Sequence, residues 1–373
     1  MSPLDPSLLP PDIHSRILAG VNGLDMHLLE AGGSDPQRPL LILLHGFPEI
    51  GYSWRKLMLP LAAAGFHVVA PDQRGYGRTT GWEPAPGAEV THGMLDWVRD
   101  AIALVSALGH RQAYLVGHDF GSQIAAAAAL IRPDVFRSVA LMSSPFTGPP
   151  ALQTGTAVPP VLDVPQALAA LPRPRKHYQH YFASPAAVND LQQPPQGLQA
   201  FLRAYFHVKS ADWAGNVPQP MQAWTAEALA QLPTYYVMDA GETMPQTVAH
   251  HAPSAEQVAA CHWFGEAELA VYVDSYRRSG FSGALQFYRC RVDGRTARDL
   301  STWAGRRIEV PACFISGRSD WGPHQKAGDL DRMRAAFSLM GAPIWIDGAG
   351  HWVQQERSTE TAAQLLAFLR TCA

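Results

Sequence analysis

The chain has 373 residues, which at about 100–200 residues per domain leaves room for two domains, or for one core carrying a large insertion. Hydrophobic residues make up 47% and charged residues 16%, enough for a sizeable core and unlike a disordered chain. Lys and Arg number 29 against 32 Asp and Glu, a formal charge of −3 with no basic run, which argues against a nucleic-acid or anionic-membrane partner.

The opening residues Met1-Ser2-Pro3-Leu4-Asp5-Pro6 lack the basic-then-apolar order of a signal peptide. The longest apolar runs are much shorter than a membrane span. Cys261, Cys290, Cys313 and Cys372 form no C-x-x-C pair and are too dispersed for a disulfide scaffold, so reduced, mostly buried thiols are expected. A soluble, cytoplasmic protein is the expectation. The 31 Pro and 31 Gly follow no repeat, which excludes collagen-like and low-complexity architectures.

In chain order, the apolar run Leu40-Leu41-Ile42-Leu43-Leu44 predicts a strand buried on both faces, ending at His45-Gly46. Val68-Val69-Ala70, Tyr114-Leu115-Val116 and Val139-Ala140-Leu141-Met142 predict further strands. Between them Met94, Val98, Ala101, Ile102, Val105 and Leu108 recur at helical spacing, with Gly109 as a stop. Alternating strands and helices predict a doubly wound, mostly parallel α/β sheet. From about Pro149 the texture changes: prolines and alanines crowd Pro149–Pro174, aromatics follow, and strand-like runs return only at Ala312–Ile315 and Ile344–Ile346. Ala362, Leu365, Leu366 and Leu369 predict a closing helix. The expected organisation is a core of residues 1–147 and 297–373 with a largely helical insertion at 148–296.

Gly117-His118-Asp119-Phe120-Gly121 follows a predicted strand and precedes helix-prone Ser122–Ala127. The glycines bracket a sharp strand-to-helix turn that lifts the middle residue above the sheet edge, the G-x-S-x-G elbow with Asp in place of Ser. The segment resembles the α/β-hydrolase superfamily, in its Asp-nucleophile branch. The exchange has chemical meaning. Ser attacking a saturated carbon would leave an ether that water and a His base cannot cleave, whereas Asp leaves an ester that they can. Such an elbow suits epoxides and alkyl halides. Read alone, Asp119 is equally an ordinary helix cap.

Chain order in this fold is nucleophile, acid, then His. Asp320, in Gly317-Arg318-Ser319-Asp320-Trp321-Gly322, and His351, in Gly348-Ala349-Gly350-His351-Trp352, each follow a predicted strand end. His351 is expected to activate water and Asp320 to support the imidazolium, with Asp347 as the competing acid. His45-Gly46-Phe47-Pro48 resembles the H-G-x-P segment of epoxide hydrolases, which implies that the Phe47 and Phe120 backbone N–H groups form an oxyanion hole. The side chains of His45 and His118 read as structural rather than as bases.

Opening an epoxide also needs a proton for the departing oxygen, and a phenol supplies one. Tyr178-Gln179-His180-Tyr181-Phe182 and Gly280–Arg289 resemble the two tyrosine segments of the epoxide-hydrolase lid, which implies Tyr178 and Tyr288 as donors, with Tyr181 as an alternative to Tyr178. His45, Pro48, Trp321 and Trp352 are expected to line the substrate pocket. The resemblance runs from about Leu40 to Trp352 and implies an epoxide hydrolase acting on a small-molecule epoxide with water; the apolar and aromatic residues of the insertion predict that the epoxide is hydrophobic. It implies no metal, no organic cofactor and no nucleic-acid or membrane partner. One departure is Phe120, where many relatives carry Trp. The rival reading is a haloalkane or haloacid dehalogenase with the same Asp–His–Asp set. Phe120 has neither the ring N–H nor the guanidinium such enzymes use to hold a halide or a carboxylate. A non-catalytic receptor on the same fold is a third reading, and would leave the full set of reactive groups unexplained.

Overall fold

The computed structural model describes residues 2–84, 89–152 and 162–372. Its framework is an eight-stranded sheet. In chain order its strands are β1 (His14–Val21), β2 (Leu24–Ala31), β3 (Leu40–Leu44), β4 (His67–Pro71), β5 (Ala113–His118) and β6 (Phe136–Met142). A two-stranded ribbon, β7 (Arg175–His177) and β8 (Val237–Asp239), stands apart, and β9 (Ala312–Gly317) and β10 (Ile344–Ile346) complete the sheet. The spatial order is β1-β2-β4-β3-β5-β6-β9-β10. From β4 to β10 every pairing is parallel, whereas β1–β2 and β2–β4 are antiparallel.

Composition explains the layering. β3 is Leu-Leu-Ile-Leu-Leu, buried at every residue because helices cover both sheet faces. Helix α1 (Arg55–Ala63) and helix α2 (Met94–Ala107) are amphipathic. On α2, Met94, Trp97, Val98, Ala101, Leu104 and Val105 face inward, and Gly109 follows its end with φ of +79°. Helix α3 (Phe120–Ile131) is buried almost all round, and its run Ala125–Ala129 lets it lie close against the strands.

The first two strands and the ribbon depart from the sequence expectation. β1 and β2 form a hairpin through Asn22 and Gly23, both at positive φ (50° and 80°), as a two-residue turn between twisted strands requires. β7 and β8 are three residues each and partly polar, too short to register as apolar runs. Within the Pro- and Ala-rich stretch Pro149–Pro174, residues 153–161 lie outside the described residues.

Between β6 and β9 the chain forms a largely helical cap over the carboxyl ends of the parallel strands. It is tied down at several points. Arg55 pairs with Glu268, Ser53 Oγ and Tyr272 OH lie 2.7 Å apart, and Tyr76 OH donates to the Ala284 carbonyl at 2.7 Å. Gly75 and Gly283 meet backbone to backbone, so a Cβ on Gly283 would sit 2.6 Å from the Gly75 Cα. All four cysteines are unpaired. Among the described residues no helix is long and apolar enough to cross a membrane.

Candidate active site

The β5–α3 junction is a strained turn. Asp119 sits between strand and helix at φ 54° and ψ −124°, a conformation that a side-chain-bearing residue holds only when its surroundings impose it. Those surroundings are close-packed backbone. A Cβ on Gly117 would meet the Gly121 backbone, one on Gly121 the Leu44 and His45 carbonyls, and one on Gly46 the Asp119 side chain. The glycines of the motif are there for space.

The turn places the two oxygens of Asp119 in different company. Oδ1 accepts the Phe47 backbone N–H at 3.2 Å, and Oδ2 lies 3.4 Å from His351 Nε2. Burial alone would lift the pKa of this carboxyl, but His351, Lys209 and His118 outweigh burial and hold it well below the usual range. Phe120, whose N–H begins α3, stacks its ring on Phe287 at 4.5 Å.

His351 follows β10 and is almost fully buried. Its Nδ1 lies 3.1 Å from Asp320 Oδ1, and its Nε2 has no hydrogen-bond partner among the described residues. Asp320 also accepts Gly322 N–H at 2.7 Å and Ser316 Oγ–H at 3.1 Å. Burial opposes its ionisation, yet the imidazole, the Gly322 N–H and the Lys209 charge keep its pKa low. Asp347, the competing acid, is exposed and pairs with Arg318 at 2.5 Å. It does not reach His351 because it points off the sheet edge into solvent.

The cap supplies the opposite wall. Tyr178 opens the helix Tyr178–Ala183, directly after β7, and Tyr288 lies on the helix Gln286–Val292. Their rings are 5.9 Å apart, and both line one cavity with Asp119, Phe120 and His351. Burial and the nearby Asp119 charge raise both phenols above their ordinary pKa, so both stay protonated. Tyr181 donates to Asp190 at 2.8 Å and does not line that cavity.

The expected pocket residues His45, Pro48, Trp321 and Trp352 are also absent from its lining. His45 is wholly buried, donating to the Gly46 carbonyl and accepting the Gln73 N–H, so its ring braces two loops. Trp352 turns toward the cap, donates to the Phe206 carbonyl at 2.8 Å and packs on that ring. Pro48 is buried beneath the loop, and Trp321 packs against the core. The lining is also more polar than expected, with Gln123, Gln325, Arg291 and Lys326 among the aromatics.

Glu49, Gln354, Gln355, Glu356 and Lys209 lie outside the sequence reading, and His118, read there as structural, holds the first of them. Behind His351, His118 Nδ1 meets Glu49 at 2.6 Å and His118 Nε2 donates to the His351 carbonyl at 2.7 Å. Glu49 raises the His118 pKa against burial, and His118 lowers that of Glu49, so the two form a buried ion pair. The other oxygen of Glu49 accepts from Gln354 and Gln355 at 2.8 and 2.9 Å. Glu356 accepts N–H bonds from Gly350 and Trp352 of the His351 loop and from Ala211 of the cap. Lys209, at the end of the cap helix Leu198–Lys209, accepts the His351 N–H at 2.8 Å. Its buried ammonium lies over Tyr205, Tyr236 and Trp352 at 5.2–5.6 Å. Glu49 has a local signal, an acid next to the strand-end His-Gly-Phe-Pro, but its partner lies 69 residues away.

Comparison with known proteins agrees with this geometry. The alpha/beta hydrolase fold family model matches residues 39–358. Epoxide hydrolase A of Mycobacterium tuberculosis is 33% identical, covering 94% of this chain and 96% of its own. An epoxide hydrolase of Caballeronia sordidicola is 30% identical, covering 96% and 97% respectively. Among solved structures, an epoxide hydrolase from an endophytic Streptomyces superposes with a TM-score of 0.76 at 32% identity, over 97% of this chain and 96% of that one. Epoxide hydrolase I of potato (Solanum tuberosum) gives 0.71 at 28% identity, over 96% and 99%. The chain belongs to the α/β-hydrolase family, in its epoxide-hydrolase-like branch.

Proposed function

We propose that the protein hydrolyses an epoxide to a 1,2-diol through a covalent ester on Asp119. One observation carries the reading. A carboxylate held between a backbone N–H and an imidazole faces two neutral phenols across a single cavity. In the first step Asp119 Oδ2 attacks a ring carbon, the carbon–oxygen bond breaks, and Tyr178 or Tyr288 gives its proton to the departing oxygen. In the second, His351 Nε2 takes a proton from water, and the hydroxide adds to the Asp119 carboxyl carbon. Negative charge then develops on Oδ1, where the Phe47 N–H already points; to the Phe120 N–H, which follows the nucleophile, we assign the second donor role. Collapse frees the diol alkoxide, which takes the imidazolium proton. The proton left on the Asp119 carboxyl restores the phenol.

Asp320 orients the imidazole and stabilises its charged form. Residues 148–296 act as the cap domain of a core formed by 1–147 and 297–373. The unpaired thiols, two of them buried, suit the reducing cytoplasm, the compartment we assign.

The test is a single turnover in isotopically labelled water with mass analysis of enzyme and diol. The new diol oxygen comes from Asp119, so label enters the enzyme and not the first product. Label appearing first in the diol would exclude the ester. A matched panel of epoxides and alkyl halides distinguishes the reaction from dehalogenation, with diol formation expected and halide release not.

A further inference from the structure

Two cations line the active-site cavity without an ion-pair partner among the described residues. Arg291 and Lys326 both border the space that holds Asp119 and the two phenols, and neither forms an ion pair among the described residues. Asp329, also in the lining, pairs with Arg332 at 2.6 Å. Lys326 is half-buried and its ammonium rests over the Trp224 ring at 4.8 Å, which fixes its position without supplying a counter-charge. Arg291 is solvent-exposed, so it marks the side on which the cavity opens.

Their placement relative to the phenols is set by the helix Gln286–Val292. Tyr288 and Arg291 are three residues apart on it, which puts them on one face with Cβ atoms about 5–6 Å apart. Lys326 reaches the same opening from beyond Asp320, after the short turn Gly322–His324. Burial, and then the charge of Arg291, lower the affinity of Lys326 for a proton. Two unpaired cations at the mouth of a reaction cavity raise the local concentration of anions there. The aromatic floor, Phe120 and Phe287, accommodates hydrocarbon; the rim does not.

We propose that the substrate is a short epoxide bearing a carboxylate or phosphate a few bonds from the ring, its anionic group held by Arg291 and Lys326. The proposal rests on the epoxide-opening reading above and narrows its substrate class. The two cations also offset the repulsion that the ionised Asp119 would otherwise exert on an anionic substrate.

The experiment compares three terminal epoxides of equal chain length, ending in a methyl group, a carboxylate and a phosphate monoester. The expected result is a kcat/KM at least about tenfold higher for one anionic compound than for the neutral one, the size of a charge-assisted hydrogen bond. Which anion prevails identifies the headgroup. In the double variant R291Q/K326Q the anionic-to-neutral ratio should fall toward one. In the unaltered enzyme the same ratio should fall between about 0.01 and 1 M salt, as the Debye length shrinks from about 30 to about 3 Å. This arm stands even where the double variant fails to fold. Efficient turnover of the neutral epoxide with no anionic preference, or a ratio indifferent to salt, overturns this proposal and leaves the reaction intact. No opening of any of the three overturns both.

Discussion

Phe47 and Asp119 lie 72 residues apart, yet the backbone N–H of one reaches Oδ1 of the other at 3.2 Å, which makes the two carboxylate oxygens unequal before any substrate arrives. Oδ1 already occupies the position in which an oxyanion would be stabilised, and Oδ2 is left on the His351 side as the attacking atom. The two half-reactions therefore depend on different groups, and His351→Gln separates them. Alkylation should proceed and the ester should accumulate, seen as an intact-mass gain of one epoxide per chain. Steady-state turnover should drop by roughly 10²–10⁴-fold, the usual contribution of a general base. An unmodified enzyme turning over normally would place the base elsewhere.

Tyr178 and Tyr288 approach the same cavity from different cap helices, so each can serve when the other is lost. Either single change to Phe should slow ring opening by less than the roughly 10²–10⁴-fold attached to losing general-acid catalysis, and the double change should incur that loss in full. Burial and the Asp119 charge raise both phenols, so the alkylation rate should show no loss of proton donor from neutral pH to about 10, the ordinary phenol value. Rapid-quench measurement of ester formation across that range checks it. An alkaline limb near pH 9 that vanishes in Tyr288→Phe would contradict the assignment.

What the sequence makes legible is local. Leu40–Leu44 reads as a doubly buried strand because every residue is apolar, and the elbow reads as a turn because Gly117 and Gly121 have no space for a Cβ. Asp320 and His351 are legible because strand ends in an open α/β sheet converge on one side. The β1–β2 hairpin escapes the sequence reading because its strands lack a continuous apolar run and its one local signal is the turn Asn22-Gly23. The pocket is not local at all. Arg291 and Lys326 come from separate segments, and only the packing of the cap shows that they share a cavity with Asp119. His45 and Trp352 sit beside motif residues in sequence but point away from that cavity, which adjacency along the chain does not reveal.

The buried Glu49–His118 pair connects Gln354 and Gln355 to the His351 carbonyl. Removing the charge in Glu49→Gln leaves a protonated His118 without its counter-ion, or forces it neutral. Breaking one side of a buried pair typically costs about 3–5 kcal/mol, so a loss of unfolding free energy of that order is expected from denaturant titration. Ester hydrolysis should slow more than ester formation, because the pair braces the His351 loop and touches neither phenol. Equal slowing of both half-reactions would show a purely structural role.

Acid should destabilise the protein well before its carboxylates are protonated. Burial pushes the His92 and His177 imidazoles down to about 3 in the folded state, against an ordinary value near 6.5. Between those limits the unfolded chain binds the proton and the folded chain does not, so stability is fully present above pH 6.5 and is lost as pH falls toward 3. At roughly 1.4 kcal/mol per pH unit for each imidazole, the loss across the whole window is on the order of 4 kcal/mol per residue. Glu30, held down to about 2 by His67 and Arg16 against the opposing effect of burial, adds a separate loss only below its ordinary value of 4.5. His92 allows the cleaner test. Its ring packs between Trp82 and Trp97, its Nε2 has no partner among the described residues, and the bonds it accepts from Gln286 and Cys290 go to its carbonyl. Phe at position 92 keeps the ring and the carbonyl while removing the titration. Denaturant midpoints measured from pH 7.5 to 4.5 should therefore fall less steeply in His92→Phe than in the unaltered protein, and equal slopes would mean that this imidazole is protonated in the fold.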